Sequence, residues 1–287
     1  MSSRADTGAS PTGASRTGDF LPERGLRREL IAVWAFALRN FQMASRNVFL
    51  LFELFFWPVM GVATIGLMTR FLRLGSQETS FVLIGQMAFS IVGTCQLDVA
   101  YAVLYDFWSK SLKHHFLAPI GIRHLTVGCW LVGMLRGSLV FLLTALLSRW
   151  AFGFNVLHAG LASIITLLAG CFLTAWIVGV CVCVLIMVFG ARAETAAWAS
   201  INLVLALAGI YYPVSMLPSP AAELAAAIPL TYFLDAYRSY FGFAPEHRAP
   251  IATGLALSIA YVGLSHWALA WAVRRARRSG LLLKISE

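Results

Sequence analysis

Long uncharged apolar runs alternate with short polar breaks along this chain. Residues 48–69, 79–97 and 159–190 carry one charge among them, Glu53. Each run approaches or exceeds the roughly 20 apolar residues that a helix needs to cross a hydrocarbon core. Helix is the form expected there, because an unpaired backbone polar group in lipid costs several kcal/mol. The strict period-two alternation of a membrane β-barrel is absent. The pattern predicts six helical spans, at 48–69, 80–102, 125–147, 159–188, a fifth that follows a tight turn at 189–194 and ends near Tyr212-Pro213, and 250–273. Pro58 falls near the middle of the first and removes one helical hydrogen bond there.

Three segments depart from plain spans. In 28–47, Arg28, Ala32, Ala35, Arg39, Gln42 and Arg46 recur at helical steps, while Leu30, Val33, Trp34, Leu38 and Phe41 fall opposite. That predicts an amphipathic helix lying in the membrane interface, arginines toward headgroups; the plainer alternative is a basic lead-in to the first span. Between spans two and three, 106–120 mixes Lys110, Lys113, His114 and His115 with Phe107, Trp108, Leu112, Phe116 and Leu117. Such a composition suits a docking surface or an amphipathic helix on the bilayer. In 214–243, prolines punctuate two short helical pieces near 221–227 and 231–240, the pattern of half-helices that dip into a membrane and return.

Composition agrees. Hydrophobic residues make up 59% of the chain and charged residues 12%, about half the charged share of a soluble domain. The net charge of +9 sits at the flanks of the apolar runs, which argues for a membrane surface and against nucleic acid. Of the 22 Lys and Arg, only Arg70, Arg73, Arg149, Arg238 and Arg248 fall on the side opposite the termini, with Arg136 inside a span. The positive-inside rule then places both termini in the cytoplasm of a multi-pass protein of the cell (inner or plasma) membrane. Residues 1–27 read as a disordered cytoplasmic tail, 28–278 as the membrane domain and 279–287 as a second cytoplasmic tail.

Charged residues within spans are functional candidates by default. Glu53, Asp98 and Arg136 are those residues, and Trp57 stands one turn after Glu53. They line a substrate path or carry protons on one reading; on the other they form interhelix ion pairs or snorkel to the interface. No lysine follows a glycine, so the Gly-Lys-Ser/Thr of a nucleotide-binding loop is missing. Any ATP-driven work therefore falls to another polypeptide, and the chain is expected to be no enzyme. The histidines 114, 115 and 124 lack a partner set at metal-ligand spacing, and Cys95, Cys129, Cys171, Cys181 and Cys183 lie in apolar runs. No metal or cofactor is expected in the chain itself.

Four features together resemble the type-2 permease family of ABC transporters, which includes polysaccharide, nodulation-factor and drug-export permeases. The lead-in at 28–47 is similar to the family's connecting helix, and Glu53-Leu-Phe-Phe-Trp-Pro58 with Gly61 to its proline-bearing first span. The stretch from Asp106 to Ile120, ending Leu117-Ala-Pro-Ile, resembles its cytoplasmic coupling helix. Tyr212-Pro-Val-Ser-Met-Leu-Pro218, continuing through Pro229, Tyr232 and Asp235 to Arg238, resembles its re-entrant outer hairpin between spans five and six. The resemblance implies a permease that exports an amphipathic or lipid-linked substrate, such as a drug, a glycolipid or a polysaccharide. It implies a dimer with a second permease copy, and two cytoplasmic ATPase subunits that bind ATP and Mg. On that reading Phe107, Trp108, Lys110, His114, Phe116 and Leu117 contact the ATPase. A proton-coupled secondary transporter working through Glu53 and Asp98 is the alternative.

Overall fold

A computed structural model describes residues 25–109 and 121–278. Nine α-helices stand among the described residues: α1 (Leu26–Arg46), α2 (Val48–Phe71), α3 (Ser76–Trp108), α4 (Ile122–Phe152), α5 (Leu161–Phe189), α6 (Glu194–Leu207), α7 (Ser219–Ala226), α8 (Pro229–Arg238) and α9 (Pro250–Arg278). Five of them, α2, α3, α4, α5 and α9, are long and apolar enough to cross a membrane. The architecture is that of an all-helical, multi-pass membrane protein.

The centre is α3. Buried residues make up 72% of its apolar window, against 17% for α2 and 22% for α9. It packs most extensively on α4 and α5, while α9 lies on α5 and α1 lies on α4. Backbones approach closely where side chains are small. A Cβ on Gly133 of α4 would come within 3.0 Å of the Cys95 carbonyl oxygen, and one on Gly137 within 3.0 Å of the Phe172 ring. This is small-residue packing at four-residue spacing, which suits helices that have no hydrophobic drive to associate in lipid.

Asn47 separates α1 from α2 because its side-chain oxygen accepts from the backbone N–H of Phe49 at 3.0 Å and of Leu50 at 3.3 Å, capping α2. α1 lays Ala37, Asn40 and Ala44 against the bundle and leaves Leu30, Trp34, Leu38 and Phe41 exposed. Ion pairs hold it down, Arg39 to Asp106 at 2.7 Å and Glu29 to Arg123 at 3.0 Å, and Glu29 also meets His124 Nε2 in a hydrogen bond of 2.5 Å.

Several expectations change. Leu26 and Arg27, assigned to the tail, open α1. The second span continues to Trp108, so Asp106, Phe107 and Trp108 belong to the last turn of α3 rather than to a separate segment; the Arg39 guanidinium holds Asp106 there. The fifth span is the largest difference. α6 ends at Leu207 after 14 residues, about 21 Å of helix, where the sequence suggested continuation to Tyr212-Pro213. Gly209, with φ of +68°, turns the chain out of the helix. The tails at 1–24 and 279–287 and the segment 110–120 lie outside the described residues.

Candidate functional site

A cleft of about 560 Å³ opens between α2, α3 and α6, with Arg136 of α4 and Tyr211 in its lining. That size suits a small organic molecule. Most of its wall is apolar, from Leu50, Leu54 and Ile65 of α2 to Phe89 and Leu97 of α3 and Ile201 of α6. The lining rings are Trp57, Phe89, Tyr101, Trp198 and Tyr211. Tyr101 meets Trp198 edge-on at 6.2 Å between centroids.

Two polar groups interrupt the wall. Gln86 donates to Ser90 Oγ at 3.2 Å, Ser90 donates back to the Gln86 carbonyl at 3.0 Å, and the Tyr211 hydroxyl donates to Gln86 Oε1. Gly61 makes room for this group: a Cβ there would stand 2.0 Å from Gln86 Nε2. Elsewhere in the cleft are Glu53 and Arg136. Arg136 donates through Nη1 to Asp98 Oδ1 and through Nη2 to the Leu50 carbonyl at 3.4 Å. Asp98 itself is buried behind the wall at 2% exposure. The interhelix ion pair is therefore the arrangement found for Asp98 and Arg136. A charge taken from water needs such a partner.

The residues grouped by sequence thus separate. Glu53, Trp57 and Arg136 line one cleft; Asp98 stands behind it as the counter-ion of Arg136. Of the ATPase-contact candidates, Phe107 packs into the protein's own core. Trp108 is 47% exposed and donates from Nε1 to Glu194 at 3.3 Å. Lys110, His114, Phe116 and Leu117 lie outside the described residues. Gln86, Ser90, Tyr101, Trp198 and Tyr211 were not singled out by sequence. Only the polar character of Gln86 and Ser90 within an uncharged run hinted at a role.

The hairpin residues gather at the other end of the bundle. Pro218 precedes α7 and Pro229 opens α8, where a missing N–H costs nothing. The Tyr232 hydroxyl donates to the Ala226 carbonyl at 2.8 Å, tying α8 to α7, and Tyr212 donates to the Ala206 carbonyl. Pro213 borders a small cavity beside Arg238. Asp235 accepts the backbone N–H groups of Glu246 and His247, both at 3.0 Å, and so fixes the turn before α9.

Arg238 is the centre of this end. It donates to the carbonyls of Gly209 at 2.6 Å, Ile210 at 2.7 Å and Phe81 at 3.1 Å, and its guanidinium lies 3.4 Å from the centroid of the Phe81 ring. It therefore holds the turn that follows α6 and joins that turn to α3. Gly85 permits the approach, since a Cβ there would lie 1.8 Å from the Ile210 carbonyl oxygen, a backbone atom. Gly85→Ala is expected to lower the melting temperature by several degrees, because the clash cannot be relieved by a rotamer change. A thermal shift assay on the detergent-purified variant measures it, and an unchanged midpoint contradicts this account of the contact.

No family model matches the chain. Over 55 residues, or 19% of its length, the chain is 37% identical to an uncharacterized protein of Archaeoglobus fulgidus, of which it covers 86%, and that likeness carries no named activity.

Proposed function

We propose that this chain is the permease subunit of an ATP-driven exporter, carrying an amphipathic or lipid-linked substrate out of the cytoplasm or inner leaflet. The observation behind this reading is the cleft: an apolar, ring-lined space of about 560 Å³ beside an exposed helix, with charged groups within it. A space of that chemistry receives molecules that are largely apolar and carry a polar group.

On this reading α6, Ala208 to Tyr212 and the α7–α8 hairpin together complete a sixth crossing, with the hairpin dipping into the outer leaflet, and both termini are cytoplasmic. The outward apolar side of α1, with Trp34 and Phe41 exposed, supports its placement in the inner interface. A second copy of the chain completes the path. Two separate ATPase subunits bind ATP and Mg, and dock near Trp108 and the segment that follows it.

The test is cargo uptake into inverted membrane vesicles that contain this chain and its ATPase. Uptake is expected to require ATP and to survive a protonophore. Uptake abolished by the protonophore and indifferent to ATP would instead favour the proton-coupled carrier working through Glu53 and Asp98.

A further inference from the structure

The charges around the cleft do not balance. Arg136 is engaged by Asp98 and by the Leu50 carbonyl. Glu53 lines the same cleft, is half-buried, and receives no hydrogen bond or ion pair from any described residue. Two carboxylates and one guanidinium leave one negative charge facing an apolar space, and that charge belongs to Glu53. A lone carboxylate in such a setting is costly unless a cation joins it. Rings of Trp57, Tyr101 and Trp198 line the same space, and ring faces attract organic cations, tryptophan most strongly. Trp57 is held by little of the protein itself, being 64% exposed.

We propose that the cleft binds an amphipathic organic monocation, its charged centre against Glu53 and its apolar body among Trp57, Tyr101 and Trp198. The inference rests on the reading of this cleft as the cargo site and narrows the cargo to one charge class. Charge complementarity selects the occupant. An anion meets Glu53, and among the described residues the cleft lining offers no cation other than Arg136, which Asp98 already offsets. A zwitterionic phospholipid brings a phosphate, and the charge of Arg136 is already offset by Asp98.

Tetraphenylphosphonium and tetraphenylborate share one shape and carry opposite charge, so they isolate the charge term. Equilibrium dialysis of each against the purified full chain in neutral detergent, with empty micelles subtracted, reads binding without ATP or transport. Saturable binding of the phosphonium is expected, with Glu53→Gln weakening it about tenfold or more and leaving borate uptake unchanged. Trp57→Ala, at a site too exposed to disturb folding, is expected to weaken it severalfold and Trp57→Phe much less. Dodecylphosphocholine at equal concentration is expected not to displace it. Equal binding of both ions, or a Glu53→Gln variant that binds the phosphonium like the parent, overturns the proposal. The two readings fail separately: Glu53-dependent binding without ATP-driven uptake removes the exporter and keeps the site, while ATP-driven uptake with charge-blind binding does the reverse.

Discussion

Arg238→Met is expected to deprive the protein of a stable fold, reducing it in detergent to aggregated material on size-exclusion chromatography. The substitution leaves the carbonyls of Gly209, Ile210 and Phe81 without the donors that now reach them. Each buried acceptor left unsatisfied costs about 1–3 kcal/mol, and three of them together are a large part of the roughly 5–15 kcal/mol that holds a domain folded. The effect concentrates at the turn that follows α6, since Gly209 and Ile210 lie just beyond its last residue, Leu207, and Phe81 belongs to α3. Arg238→Lys is expected to fall between the two proteins, because one ammonium on a flexible stem cannot reproduce the fork that spans three acceptors. A methionine variant that runs as a sharp peak and melts within about 2 °C of the parent contradicts the assignment of Arg238 as the tie between α3 and the turn after α6.

The second large effect concerns Asp98 and Arg136. Arg136→Leu leaves Asp98 buried without its counter-ion, and Asp98→Leu strands the guanidinium; each is expected to cost about 3–5 kcal/mol. The double variant Asp98→Leu, Arg136→Leu is expected to be more stable than either single variant, since it removes both charges from an interior that must otherwise accommodate them. Melting midpoints of the three variants and the parent form a double-mutant cycle. Strictly additive losses, with the double variant worst of all, contradict a pair whose two members need each other. Transport by a stable double variant would further show that the pair holds the helices together and leaves cargo contact to Glu53.

The positions of the helices were legible because apolar runs and their polar breaks are local features of sequence. The runs at 48–69, 159–188 and 250–273 correspond closely to α2, α5 and α9. What escaped sequence reading depends on partners far along the chain. The last turns of α3 look like a polar segment until Arg39, 67 residues away, is seen to hold Asp106. The run of 195–212 looks like a complete span until Gly209 turns it and Arg238 takes its carbonyls. Likewise, Glu53, Trp57 and Arg136 could be nominated from charge and aromatic character, but the cleft joining them could not. It exists because Tyr211 meets Gln86 across 125 residues and Gly61 admits that contact.

The loose seating of α2 has a consequence for how the cleft is reached. Five residues of α2, Leu54, Pro58, Val62, Gly66 and Thr69, are buried, and the rest are half-buried or exposed. One whole wall of the cavity is thus the least anchored long helix in the bundle. On the proposed reading, a small tilt of that wall would admit a guest sideways from the surrounding lipid while α3, α4 and α5 keep their packing. Lateral entry of this kind would depend on the tethering of a single helix, and Gly61 and Gly66, where a Cβ would meet Gln86 and the Phe152 ring, set how closely that helix is hung.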